Sequence, residues 1–395
     1  MYHHFPQAIA SHIAFTIHAG SRDDGEIPGT AHCFEHMLFK GTKKRNAYHI
    51  INRLEIVGGE MNAFTTKEIT TIYATVTAPH FKRALELLSD LTFNSTFPEK
   101  ELTKEKKVIS EEINMYLDTP EENIYDEFQE SIFNKHSLGP NILGSQESIQ
   151  QIQQKTLIDF HNTYYQTSNI ALSISSSLTF KEALKHIEKT CVSELPNKPI
   201  PERDVFKHYR KTDQTKKTEH IQCHAIVGNI AYPYHHKNRI PLLLLNNLLG
   251  GPGMNSRLNL SIREKYGYTY NIESGYSAFK DTGLFHCYFS TEKKHLNKTL
   301  DLINKELNLL KSKPLTTLQL NQAKNQFIGQ ISLSEEHRLN VILALGKNLA
   351  QDYYPIESLE DAIKKIEDIQ ANTIQDIANE IFEIAQMSRL IFTSE

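Results

Sequence analysis

Tryptophan is absent from the 395-residue chain, and cysteine occurs only four times. Cys33, Cys191, Cys223 and Cys287 are scattered and form no Cys-x-x-Cys pair. That spacing argues against a disulfide framework and against a thiolate zinc site, and it fits a reducing compartment. No run of about 18 apolar residues exists, so no membrane-spanning helix is expected. The stretch MYHHFPQAIASHIAFTIHAGS has neither a basic region nor a continuous apolar core. No signal peptide is read there, and a cytoplasmic setting is expected. Excess positive charge is missing as well: the formal net charge is -4, which leaves no basic footprint for nucleic acid.

What remains is a composition of 39% hydrophobic and 23% charged residues, that of a soluble globular chain. It is too long for one ordinary core, so two domains are the default. SHIAFTIHAGS alternates, with Ile13, Phe15 and Ile17 on one side, and predicts a half-buried strand. TAHCFEHMLFKG lacks that alternation and predicts a helix stopped by Gly41. ITTIYATVTA predicts a strand and HFKRALELLSDLTF a helix with Phe81, Leu85, Leu88 and Leu91 on one face. PEKELTKEKKVISEEINMYLDTP predicts a second helix, with Pro98 near its start and Pro120 just past its end. SNIALSISSSL predicts a further strand.

The proline-rich ELPNKPIPERD is the best linker candidate. After it the order of elements begins again. TEHIQCHAIVGNIAY predicts a strand, RIPLLLLNNLLGG a buried helix, YTYNIES and GLFHCYFSTE strands, and two amphipathic helices follow. The expected fold class is α+β. Two similar domains, residues 1–195 and 204–395, are joined by a linker at 196–203. TDQTKKTEH reads as a solvated charged loop. The paired histidines of MYHH and YPYHH read as surface residues, since neighbours in sequence diverge. GGPGMNSR lacks the Lys-Ser/Thr of a phosphate loop and reads as a turn before a helix.

His32 and His36 stand one helical turn apart on one face, with Glu35 beside the second. Two imidazoles offered to one ion, and a carboxylate placed to reach a water on it, is the division of labour that zinc hydrolysis needs. An ordinary wet helix face has the same spacing. A third ligand decides between them. On the helix from Glu99 to Leu117, Leu102, Ile109, Ile113 and Tyr116 share a buried direction. Glu105 and Glu112 stand about 60° and 80° from Leu102 on one flank, while Glu111 points about 180° away, into water. Glu112 is therefore the better ligand candidate, and Glu105 is either a partnered carboxylate or a solvated flank. Cys33 points about 100° away from His32 and reads as packing.

GTAHCFEHMLFKGT resembles the inverted zinc motif His-x-x-Glu-His of the M16 (pitrilysin/insulinase) metallopeptidases. The resemblance is closest to the short-chain branch that includes the mitochondrial processing peptidases and their bacterial relatives. AGSRDD, NAFTTKEITTIYATV, VISEEINMYLDTP, HSLGPNILGS, FHNTYYQTSNIAL and LLGGPGMNSRLNLSIREKYGYTYNIES resemble further stretches of the family, in order along nearly the whole chain. The family's first strand, before AGSR, is shortened or lost here.

The resemblance implies a zinc-dependent endopeptidase holding one Zn2+ per chain. His32, His36 and Glu112 match the metal ligands and Glu35 the general base. Glu105 matches an acidic residue that supports catalysis. Asn62 and Ala63 match a substrate-binding edge strand, and Arg263 with Tyr270 the pair that contacts the substrate and stabilises the reaction's intermediate. It also implies extended or unfolded peptide substrates, enclosed in a clam-shell chamber that this chain would complete as a homodimer. Two alternatives stay open: an inactive partner subunit, and a protease dedicated to maturing one precursor peptide. Dead members lose either the metal motif or the Arg/Tyr pair, and this chain keeps both.

Overall fold

The computed structural model describes residues 1–191, 197–351 and 356–394. The expected start of the linker, Pro196, and the end of the expected first domain lie outside the described residues. Among the described residues no helix is long and apolar enough to cross a membrane.

The chain builds two units, each an α+β layer around one five-stranded sheet. The first sheet contains β1 (Tyr2–His4), β2 (Ala10–Ile17), β3 (Glu60–Thr65), β4 (Thr70–Thr77) and β5 (Ile170–Ser176), in the order β1-β5-β2-β4-β3. The second contains β6 (Asp213–Thr218), β7 (Cys223–Ala231), β8 (Thr269–Ala278), β9 (Gly283–Thr291) and β10 (Ser388–Ser394), in the order β6-β10-β7-β9-β8. Position by position the two orders are the same. In both, only the first pair is parallel and every other pair is antiparallel. The repeat expected from the order of elements is thus present in the connectivity. β1 is the short first strand, three residues on the edge of its sheet.

Helices in chain order are α1 (Thr30–Leu38), α2 (Ala47–Glu55), α3 (Phe81–Asn94), α4 (Glu99–Leu117), α5 (Pro120–Ile132), α6 (Gln146–Gln151), α7 (Gln154–Tyr164) and α8 (Phe180–Cys191). They continue with α9 (Arg239–Gly250), α10 (Leu296–Ser312), α11 (Thr317–Glu335), α12 (Arg338–Ala350), α13 (Leu359–Glu367) and α14 (Ala371–Ile381). Residues Ile13, Phe15, Ile17, Leu85, Leu88 and Leu91 are all buried, as their spacing on β2 and α3 requires.

The units are not contiguous halves. The first is Met1–Met115, Pro140–Asp204 and Ser334–Ile356; the second is Tyr116–Gly139, Val205–Leu333 and Glu357–Glu395. Helix α5, early in sequence, covers β7 and β10 of the second unit, packing Ile124, Phe128 and Ile132 against Ile226, Leu390 and Phe392. Helix α12, late in sequence, covers β2 and β5 of the first unit. There the contact is closer and less apolar: Ser173 Oγ donates to the Ile342 carbonyl at 2.7 Å, and a Cβ on Gly346 would meet Thr16 Oγ1 at 2.5 Å.

Two local expectations change. TDQTKKTEH is not a loop: Asp213–Thr218 is β6, an edge strand paired in parallel with β10. Its residues are almost all exposed, so burial leaves no alternation to read, and charges along an open edge are a common protection against further pairing. Gly41 does not end α1. The helix stops at Leu38 with Phe39 as its cap, and Gly41 bridges to Asn46 while lying against Pro98, whose Cγ would be 3.0 Å from an added Cβ.

Candidate metal centre

Helix α1 is held at both its start and its inner face. Gly29 precedes it with φ of 90°, in the left-handed region, and an added Cβ would lie 2.6 Å from the Leu143 carbonyl oxygen. Only glycine fits that turn without strain. The free N–H groups at the helix start go to Asp24, whose carboxylate accepts from Gly29 N at 2.7 Å and Ala31 N at 2.8 Å. Burial pushes the Asp24 carboxyl up to about 8 against these two bonds, which pull it down. On the inner face Phe34 is fully buried. Its ring centroid lies 4.6 Å from that of Tyr165, 4.8 Å from Phe97 and 5.3 Å from Phe160. The helix is pinned by apolar contact on one side, which leaves the other face for polar work.

That other face carries His32 and His36, with ring centroids 4.7 Å apart. Glu112 of α4 stands opposite, its Oε2 3.5 Å from His36 Nε2 and 3.8 Å from His32 Nε2. One donor atom from each of the three residues lies within 4.8 Å of the others. The carboxylate-to-imidazole separations are too long for hydrogen bonds. They are close to the roughly 3.3 Å between ligands of a tetrahedral zinc with bonds of about 2.0–2.1 Å. His32 is buried, and desolvation, then the neighbouring His36, lowers its pKa to about 3. The ring is therefore neutral, the form in which imidazole binds metal. Its Nδ1 is buried with no hydrogen-bond partner. The residues present fit a zinc ion. Glu111 is exposed.

Glu35 lies between the two histidines in sequence. Burial raises its pKa, and the hydroxyl and backbone of Thr65 at the end of β3 pull it back down by hydrogen bonding. Glu105 is buried, and its Oε2 is 3.2 Å from His36 Nδ1 while its Oε1 is 2.6 Å from Lys40 Nζ. It is partnered rather than a solvated flank. Cys33 is fully buried and burial pushes its thiol up to about 12, so it packs as an uncharged side chain. Lys40, Asp24 and Thr65 were not singled out from sequence. Lys40 had a signal, since it continues the four-residue step of His32 and His36.

The remaining site candidates fall elsewhere. Asn62 and Ala63 lie on β3, the free edge of the first sheet, which packs against α1. Arg263 and Tyr270 belong to the second unit. Arg263 sits on a π-helical turn, Asn259–Glu264, and its guanidinium carbon lies 5.3 Å from the Tyr270 ring centroid. Tyr270, on β8, is 82% exposed. The loop GGPGMNSR does precede this helical turn. Helix α9, RIPLLLLNNLLG, carries neither histidine nor carboxylate, so it offers no second copy of the α1 triad.

The chain matches two family profiles, one described as Insulinase (Peptidase family M16) over residues 1–146 and one as Peptidase M16 inactive domain over residues 151–327. A Bacillus subtilis protein named as the uncharacterized zinc protease YmxG is 33% identical over 373 residues, covering 94% of this chain and 90% of the relative. A zinc protease of Rickettsia felis, likewise named uncharacterized, is 31% identical over 386 residues, covering 94% and 90%. Among solved structures, a peptidase M16 inactive domain from Pseudomonas fluorescens superposes with a TM-score of 0.92 at 20% identity, over 100% of this chain and 95% of that one. A protease from Helicobacter pylori superposes with a TM-score of 0.89 at 22% identity, over 98% and 95%. The structural likenesses establish the fold, and the two family profiles, together with relatives matched along nearly their whole length, establish that the chain belongs to peptidase family M16.

Proposed function

We propose that the protein is a zinc-dependent endopeptidase acting on extended or unfolded peptides in the cytoplasm. The observation that carries the reading is the set of His32, His36 and Glu112 within 4.8 Å, with Glu35 on the same helix. His32, His36 and Glu112 hold one Zn2+ per chain. Bound zinc supplies a Lewis acid that polarises the scissile carbonyl and acidifies a water. Glu35, on the same helix as the two histidines, takes the water's proton and returns it to the leaving amine. Its burial raises its pKa, the direction that favours a carboxylate acting as a base towards water. Glu105 orients His36.

Along the free edge of β3, an extended substrate adds as a strand beside Asn62 and Ala63. Arg263 holds the substrate backbone, and the exposed phenol of Tyr270 donates to the carbonyl oxygen as negative charge develops there. The working assembly is a homodimer with composite sites, in which the first unit of one chain works with Arg263 and Tyr270 of its partner. One chain carries both sets, so it needs no different subunit, and a two-fold pair is the simplest closure.

Glu35→Gln is expected to keep its metal and lose at least about 10²-fold in turnover. Complementation tests the assembly. Glu35→Gln and Tyr270→Phe chains, each nearly inactive, regain activity when mixed and allowed to exchange, because one site of a mixed dimer has both residues intact. No recovery despite demonstrated exchange places both residues within one chain.

A further inference from the structure

Helices α1 and α4 meet as a ladder of alternating side chains. From α1 come His32 and His36, and from the turn just past its end comes Lys40, four residues on, whose N–H donates to the Met37 carbonyl. From α4 come Glu112 and Glu105, seven apart in the opposite direction. The rungs are His32–Glu112 at 3.8 Å, His36–Glu112 at 3.5 Å, His36–Glu105 at 3.2 Å and Lys40–Glu105 at 2.6 Å. The two oxygens of Glu105 are divided between partners: Oε1 faces Lys40 and Oε2 faces His36.

The two histidines are not held alike. The His32 side chain is 10% exposed, and its buried Nδ1 makes no hydrogen bond. The His36 side chain is 22% exposed, and the polar contact that fixes its ring on the side away from Glu112 is Glu105. Nδ1–H of His36 donates to Glu105, which leaves the Nε2 lone pair facing Glu112. The Glu105 side chain is only 9% exposed, and a buried carboxylate keeps its charge and orientation only if its oxygens are partnered. Removing the ammonium leaves Oε1 unpaired and the carboxylate free to turn.

We propose that Lys40 is a positioning residue for the metal centre, acting through Glu105 to set the ring orientation of His36. The proposal rests on the reading of His32, His36 and Glu112 as zinc ligands. It goes beyond that reading by assigning a function to a residue outside the motif. An ordinary inter-helix ion pair would contribute to stability and leave zinc affinity alone.

The test measures zinc affinity of the full chain by competition with a chromophoric chelator, together with melting of the metal-free proteins and the visible spectrum of the Co(II) forms. Lys40→Met and Lys40→Gln are expected to bind zinc about 10- to 100-fold more weakly and to alter the Co(II) bands, as loss of an outer partner does. Lys40→Arg, which keeps the charge, recovers most of the affinity. Lys104→Met, which breaks an exposed Lys104–Glu101 pair of 2.8 Å on α4, leaves the zinc affinity and the Co(II) bands unchanged. The proposal is overturned if Lys40→Met and Lys40→Gln bind zinc as tightly as the unaltered chain, or if Lys40→Arg is as weak as they are. A fall in metal-free melting with unchanged affinity also overturns it, because that is the signature of a structural pair. If the unaltered chain binds no zinc, or His36→Ala binds it normally, the parent reading fails and this one falls with it.

Discussion

Acid should loosen the second unit more steeply than the first. In the second unit, His224 is buried with Nδ1 2.8 Å from the Tyr288 hydroxyl. His286 sits beside the Tyr125 ring at 5.1 Å, and Gly275 lies so close that an added Cβ would be 2.5 Å from its Cε1. Desolvation lowers both pKa values from 6.5 to about 4, His224 with a further contribution from His220. A depressed histidine pKa means that the folded state stays neutral while the unfolded state takes up a proton. Its stabilising contribution is fully present above pH 6.5 and is lost as pH falls towards 4. Two protons taken up on unfolding at pH 5 give a slope of about 2.7 kcal/mol per pH unit, and at most about 7 kcal/mol over the whole window. That is comparable with the 5–15 kcal/mol that typically holds a domain together.

The first unit has three histidines lowered by burial first: His12 to about 4, His32 to about 3, and His161, which its contact with the Thr92 carbonyl pulls back up. Asp24, raised to about 8, and Glu35, also raised by burial, work against them, because the folded state then holds protons that the unfolded state has lost. The net is about one proton, or about 1.4 kcal/mol per pH unit at pH 5. Native-state hydrogen exchange in a chelator, corrected for the intrinsic pH dependence and read on β7 and β9 against β2 and β4, measures both slopes. A second-unit slope below about 1 kcal/mol per pH unit, or one no steeper than the first unit's, refutes the reasoning. So does a His224→Asn chain whose slope is unchanged.

Phe34→Ala should cost about 3–5 kcal/mol in metal-free urea unfolding, since it removes the ring that anchors α1 among Tyr165, Phe97 and Phe160. A loss below about 1 kcal/mol would mean that α1 is held by other contacts. Gly29→Ala forces a Cβ into the left-handed turn before α1 and against the Leu143 carbonyl, so it should lower metal-free stability by at least about 1–2 kcal/mol. An unchanged unfolding midpoint would show that the turn adapts freely.

Much of the fold was legible because the strands and long helices carry clear periods. β2, β4, β5, α3 and α4 fall where alternation and helical spacing place them. Period alone also separated Glu112 from Glu111: the fold sets Glu112 against the two histidines and leaves Glu111 exposed. Which sheet a helix covers was not legible. Ile124, Phe128 and Ile132 make an apolar stripe on α5, but a stripe states only that something covers it, and the partner sheet begins some 80 residues later. β6 escaped notice because an edge strand exposed on both faces leaves no pattern. Helix α2 buries only Ile50 and Leu54, too few for a confident period. Lys40 was missed because it lies past the end of α1, where a motif search stops but the helical face continues.

Metal content of four purified chains tests the central claim most directly. The unaltered chain should carry about one zinc per chain, and His36→Ala and Glu112→Gln should each lose it. Glu111→Gln, altered one residue away on the exposed side of α4, should keep it. Loss of zinc from Glu111→Gln with full retention by Glu112→Gln would contradict the account at its base.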